Sequence, residues 1–151
     1  MKKFITLTVA LATITTSLIA APRTLFDDER AIKYSELPTT AQEFIAEHFD
    51  KEQVSYTMLE DDILRKEYKV VMSNGTKIEF DGDGAWNQVD CRYTSVPTAI
   101  VPAKIAEYVT KNYPEAKITE LKRESHEWEV QLTGGLELTF NRDFKLTDID
   151  D

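Results

Sequence analysis

Positions facing one side of a helix recur at helical spacing in two places along this chain. The first set follows Pro38 and the second follows Pro102, and proline fits the first turn of a helix. The sets are Ala41, Phe44, Ile45, His48 and Phe49, then Ile105, Tyr108, Val109, Asn112 and Tyr113, 64 residues later. This spacing predicts two amphipathic helices, each with one face directed at a core.

After each helix the hydrophobic period changes from 3.6 residues to two, which is typical of half-buried strands. Tyr68, Val70 and Met72 alternate with polar or outward positions, and Trp128, Val130 and Leu132 repeat that pattern. Glycine-containing turns separate the runs. Asn74-Gly75 favours a type I′ hairpin turn, and Gly134-Gly135 takes its place in the second half. Four antiparallel strands are therefore predicted after each helix.

The two halves match in order and in spacing, which predicts a tandem repeat. We predict an α+β fold of two repeats, each a helix followed by a four-stranded antiparallel meander. Two helices would cover one face of a shared or continuous sheet, and the other face would stay open to water. The predicted boundaries are repeat 1 at 35–91, a linker at 92–99 and repeat 2 at 100–151.

The first twenty residues have the three-part pattern of a secretory signal peptide. Lys2 and Lys3 precede an uncharged, apolar and hydroxyl-rich run, and small residues end it at Ala20 and Ala21. We predict a cleavable signal at 1–20, a leader at 21–34 that is mobile or a short helix, and export to the periplasm. No later stretch is long and apolar enough to predict a membrane span in the mature chain.

The net charge of the chain limits the classes of partner that it can bind. The chain carries 18 basic and 27 acidic residues, a net charge of −9. Loss of Lys2 and Lys3 leaves 16 − 27 = −11. Nucleic acid is an unsuitable partner because its phosphates require lysine and arginine. Cys91 is the only cysteine, so an internal disulfide cannot form; it is either an inert thiol or a link between two copies.

The order of motifs resembles the PepSY-like domain, whose fold is similar to that of the β-lactamase inhibitor protein. Leu37-Pro38 before the first helix, Asn74-Gly75, and the segment from Phe80 to Trp86 carry this resemblance. It implies an exported protein of Gram-negative bacteria, with a tandem fold and a concave sheet that binds a partner. It does not imply β-lactamase inhibition, because those inhibitors carry disulfides. Arg142 and Phe144 replace Gly82 and Gly84, so we expect the last turn to differ.

Catalytic and metal-binding patterns are weak. His48 and His126 have no nucleophile at a recognised spacing, so we predict that the protein is not an enzyme. The resemblance includes members labelled calcium-regulated, and Asp81, Asp83 and Asp90 could form an oxygen-ligand calcium site. The alternative is that Asp81 and Asp83 only shape a tight turn. We predict no other cofactor.

The open face of the sheet is the predicted partner-binding surface. Trp86 and Trp128 fall on the apolar face and are predicted core residues, whereas Tyr93 has no evident packing role. The leading hypothesis is a non-enzymatic periplasmic binding or inhibitory module for a protein partner; the alternative is a calcium-responsive envelope protein. The predicted partner-binding residues are Lys69, Val71, Lys77, Glu79, Glu129, Gln131, Glu137 and Thr139.

Overall fold

The computed structural model describes residues 29–62 and 65–151. The predicted signal peptide and most of the predicted leader lie outside these residues. Within them, two helices and nine strands follow the chain as β1 (Glu29–Ile32), α1 (Thr39–His48), β2 (Val54–Asp61), β3 (Lys66–Met72), β4 (Lys77–Asp81), β5 (Trp86–Asp90), α2 (Ala103–Asn112), β6 (Ile118–Arg123), β7 (Glu127–Leu132), β8 (Glu137–Asn141) and β9 (Leu146–Asp150).

All nine strands form one open antiparallel sheet in chain order. Strands β5 and β6 join the two halves, with Val89 opposite Leu121. The α+β class and the continuous antiparallel sheet are therefore confirmed. No described helix has the length and apolar character needed to cross a membrane.

Strand β1 was not predicted. Residues 21–33 show no hydrophobic period, yet Glu29–Ile32 pairs with β2, where Ile32 lies opposite Thr57. The hydroxyl of Thr57 also donates to the Ile32 carbonyl at 2.6 Å. The end of the predicted leader is thus an edge strand rather than a mobile or helical segment, because backbone pairing needs no apolar alternation.

Both helices pack through the central residues of the predicted stripes, whereas Asn112 at the end of the second stripe is exposed. Ala41 and Ile45 of α1, and Ile105 and Val109 of α2, are buried. The ring of Phe44 meets Phe80 edge-on at 5.7 Å between centroids. In the second half, Tyr108 meets Phe140 in the same way at 5.3 Å. A single hydrophobic core contains the helix residues and the inward residues of the strands.

The first hairpin turn differs from its prediction. A type I′ turn needs a positive φ at two residues, but Gly75 has φ +86° and Asn74 does not have a positive φ. The Gly75 amide donates to the Met72 carbonyl at 2.9 Å. The Asn74 carboxamide accepts from the Thr76 amide at 3.0 Å. The type I′ prediction was wrong: this is a three-residue loop closed by a left-handed glycine.

The last turn also differs from its prediction, because it repeats the earlier one. Asp81 accepts from the amides of Asp83 and Ala85 at 3.0 and 2.9 Å. Asn141 accepts from the amides of Asp143 and Lys145 at 3.0 Å each. Phe144 adopts φ +61°, the left-handed conformation that Gly84 has in the first half. The side-chain cap and the backbone bonds preserve this turn without glycine.

Candidate functional site on the open face of the sheet

The candidate site is the sheet face opposite the helices. Val70, Ile78, Val130 and Leu138 are fully buried on the helix side, so the residues that alternate with them point outward. All eight predicted partner-binding residues occupy outward positions. The register pairs them as Lys69 with Glu79, Val71 with Lys77, Glu129 with Thr139, and Gln131 with Glu137.

These residues form two groups rather than one patch. Strands β5 and β6 lie between β4 and β7. At about 4.8 Å per strand, the groups are roughly 14 Å apart. A partner that reaches both groups must therefore also contact the strands between them.

The intervening strands supply outward polar residues that sequence reasoning missed. Gln88 lies opposite Lys122, and Asp90 lies opposite Glu120. The Gln88 amide donates to Glu120 at 2.6 Å. Burial, and then repulsion from Asp90, raise the pKa of Glu120. Alternation of Glu120 and Lys122 around buried Leu121 was the available signal, but nothing local predicts that β6 pairs with β5.

Two lysines of this face are held by carboxylates. Lys69 lies 2.8 Å from Glu60 and 3.7 Å from Glu29. Lys122 lies 2.6 Å from Glu124 and 3.0 Å from Glu129. The hydrogen bond that each ammonium donates, to Glu60 and to Glu124 respectively, is the largest cause that raises the pKa of each lysine. The charges of these two lysines are thus balanced by neighbouring acids.

A polar cavity of about 450 Å³ opens between the two groups, beside the β5–β6 pair. Its floor includes Asn87, the extra residue of a bulge at which the β4–β5 register shifts. The side-chain oxygen of Asn87 is buried and has no hydrogen-bond partner among the described residues. The cavity is lined by Arg65, Glu67, Glu79, Asn87, Gln88, Lys122, Arg123, Glu124 and Ser125.

Arg123 shapes one wall of this cavity. Its guanidinium lies over the Trp86 ring at 4.8 Å from the centroid. It also donates to the Trp86 main-chain carbonyl at 2.5 Å. At the opposite wall Arg65 lies 3.1 Å from Glu67, and burial is the main cause that raises the pKa of Glu67. The cavity therefore offers fixed donors and carboxylates, and the unpaired Asn87 oxygen is buried beside it.

The acidic residues predicted for calcium do not converge. Asp81 uses one oxygen to cap its own turn. Asp90 lies opposite Lys77, four residues from Asp81 along β4, or roughly 14 Å at about 3.4 Å per residue. Asp90 instead accepts from the Arg92 amide at 2.9 Å.

Among the described residues, a different group of acidic side chains does converge. Oxygen atoms of Glu124, Glu127 and Glu129 lie within 4.8 Å of one another. The Lys122 ammonium already contacts Glu124 and Glu129. A metal ion at this group would have to displace that lysine.

Cys91 and the aromatic residues have structural surroundings. Cys91 is buried, and burial raises the pKa of its thiol. A link between two copies would need this sulfur at the surface, so the structure does not support a Cys91-linked dimer. Trp86 and Trp128 contact each other at 6.0 Å and pack against the core. Tyr93 is 77% exposed and covers the Gly75 turn.

Comparison with known proteins identifies the family. Residues 66–148 match the model of the family described as "Putative beta-lactamase-inhibitor-like, PepSY-like". This match covers more than half of the sequence, and the chain belongs to the PepSY-like family. A search of curated proteins found no match.

Solved structures agree with this assignment. A protein of Bacteroides thetaiotaomicron described as a "putative calcium-regulated periplasmic protein" is 45% identical, with a TM-score of 0.80, and the match covers 82% of this chain and 98% of that one. Two proteins of Bacteroides vulgatus, each described as a "putative periplasmic protein", are also similar. One, of the DUF2874 family, is 43% identical over 82% and 98% of the chains, with a TM-score of 0.79. The other, of unknown function, is 30% identical over 82% and 99%, with a TM-score of 0.77. None of these descriptions names an enzymatic activity.

Proposed function

We propose that this chain is a non-enzymatic periplasmic module that binds a protein partner through the open face of its sheet. The observation that carries the proposal is the polar cavity at the β5–β6 pair, lined by charged side chains and by Asn87, whose buried oxygen has no described partner. A buried acceptor without a donor costs about 1–3 kcal/mol. A partner that draws the Asn87 side chain into the cavity and donates a hydrogen bond to its oxygen would recover part of this cost.

Charge favours a basic partner surface. The outward positions of β5, β6, β8 and β9 include Asp90, Glu120, Glu137, Asp148 and Asp150. Complementary charge across an interface steers association and fixes orientation. The tandem repeat supports this use, because it produces a sheet wide enough to hold the two groups of residues and the cavity between them.

A periplasmic location is part of this proposal, and the predicted export signal supports it. The predicted signal peptide at 1–20 would deliver the chain to the periplasm, where the three relatives are described as residing. Cleavage is tested by N-terminal sequencing of the protein purified from a periplasmic fraction. A mature protein that begins at Met1 would contradict the signal-peptide prediction.

The partner surface is tested by charge reversal with a matched control. Glu79→Lys/Glu137→Lys changes the open face, whereas Glu43→Lys/Glu107→Lys makes the same charge change on exposed helix positions. In pull-downs from periplasmic extract, the open-face variant should lose proteins that the native chain and the helix variant both retain. Equal retention by both variants would contradict the proposed surface.

A second candidate function is a calcium response. The three converging carboxylates and the description of one relative as calcium-regulated favour it. Calorimetry with calcium chloride should give binding heat that Glu124→Gln/Glu127→Gln abolishes and Asp81→Asn/Asp83→Asn retains. Absence of heat with the native protein would end this hypothesis, and the reverse pattern of variants would move the site to the turn.

A further inference from the structure

A second cavity lies on the other side of the molecule, beside α2. It has a volume of about 260 Å³ and lies between α2, the segment before it and the start of β6. The segment before α2 is fixed there, since the Val96 amide donates to the Ile118 carbonyl at 2.9 Å. Six apolar residues line the cavity: Val96, Val101, Ala106, Val109, Ala116 and Ile118.

The first half of the chain shows what fills the corresponding space there. A 3-10 helix precedes each α-helix, at Tyr34–Glu36 and at Thr98–Ile100, 64 residues apart. Tyr34 corresponds to Thr98, and Gln42 corresponds to Ala106. The phenol of Tyr34 packs against the core and donates to the Gln42 carbonyl at 3.1 Å. The Gln42 side chain in turn donates to the Leu37 carbonyl at 2.8 Å.

The second half therefore lacks one aromatic ring and one amide at this place. Both replacements, Thr98 and Ala106, line the cavity. Apolar cavities of about 150 Å³ bind benzene, so about 260 Å³ can admit one ring with a small substituent.

A different polar group stands where the missing phenol hydroxyl would bond. The Ala106 carbonyl corresponds to the acceptor of Tyr34, and it accepts from the Thr110 hydroxyl at 2.8 Å. Both lone pairs of this carbonyl are then used, because the Thr110 backbone amide is its helical donor in α2. The Thr110 hydroxyl lines the cavity and can itself accept a hydrogen bond, so it is the polar group that a phenol hydroxyl would meet. The site should therefore favour a ring that carries a hydroxyl group over one that does not.

We propose that this cavity binds a 4-alkylphenol group, placed as the Tyr34 side chain is placed in the first half. The group could belong to a free monocyclic phenol or to a tyrosine side chain. This site is separate from the open face of the sheet, so it does not depend on the proposed partner surface.

The test is a titration of the full mature chain with p-cresol, in which binding is monitored through the amide chemical shifts in NMR spectra. Shifts should concentrate on α2, residues 95–101 and β6, and toluene should bind more weakly. N-acetyl-tyrosinamide forms a second arm. Binding of p-cresol alone indicates a free phenol, binding of both probes admits a tyrosine side chain, and binding of neither overturns the proposal.

Variants separate cavity binding from surface adsorption. Thr98→Tyr supplies the ring from the chain itself and should weaken p-cresol binding by at least about tenfold. Ala106→Gln narrows the same cavity and serves if Thr98→Tyr fails to fold. Thr147→Tyr adds a tyrosine on exposed β9 and should leave binding unchanged. Unchanged affinity in a folded Thr98→Tyr or Ala106→Gln variant would refute the assignment.

Discussion

Gly84 lies where the turn between β4 and β5 touches the start of α1, and its substitution tests that contact. The residue is buried and has φ +84°. A Cβ at this position would lie 2.6 Å from the Pro38 Cβ and 3.1 Å from the Ala41 amide nitrogen. Real atoms do not approach so closely, so either the turn or the helix must move.

Two costs add in Gly84→Ala. The left-handed conformation costs a residue with a Cβ about 1–2 kcal/mol. Overpacking against a rigid neighbour costs about 1–3 kcal/mol more. We expect the free energy of unfolding to fall by roughly 2–5 kcal/mol, measured by urea denaturation of the mature chain.

Gly135→Ala is the matched control. Gly135 has φ +96°, and a Cβ there would meet nothing within 4 Å. Its cost should be the conformational part alone, about 1–2 kcal/mol. Equal losses in the two variants would refute the claim that the turn packs tightly against α1.

Three further predictions concern the open face and the core. Asn87→Leu should leave the free energy of unfolding unchanged or raise it in urea denaturation, because it removes a buried oxygen without a described partner; a loss above about 2 kcal/mol would show that the oxygen is satisfied. The pKa of Glu120 is raised in the folded state, so its charge opposes folding, and stability should fall as pH rises through its ordinary range and its raised value. Urea midpoints from pH 4 to pH 8 should therefore fall less in Glu120→Gln than in the native chain, and identical profiles would contradict this. Cys91 should react with a thiol reagent far more slowly in the folded protein than in urea, because it is buried and its thiol pKa is raised; equal rates would contradict its burial.

The helices and most strands were predictable because their signals are local. The stripe containing Phe44 and Ile45 has the period of a helix, and alternation around Val70 or Val130 has the period of a strand. Both signals arise from burial on one face, which the structure shows at these residues. The outward residues follow from the same alternation, so the eight predicted residues were placed on one face.

The missed features depend on partners distant in sequence. Glu29–Ile32 becomes a strand because β2 offers backbone bonds, and its four residues carry no period of their own. Gln88 and Glu120 are 32 positions apart in the sequence, and they meet only because β5 pairs with β6. The left-handed Phe144 is different, because its signal was local: Asn141 stands at the position of Asp81 and supplies the same cap.

The β5–β6 pairing has a further consequence for self-association. Two separate four-stranded sheets would leave four unpaired strand edges, and exposed edges invite addition of strands from other molecules. In the described part of the chain, the merged sheet has two edges, β1 and β9. Strand β1 has four residues, and β9 carries Asp148 and Asp150 on a largely exposed strand. Joining the halves thus removes the two inner edges, and one remaining edge is protected from aggregation by shortness and the other by negative charge.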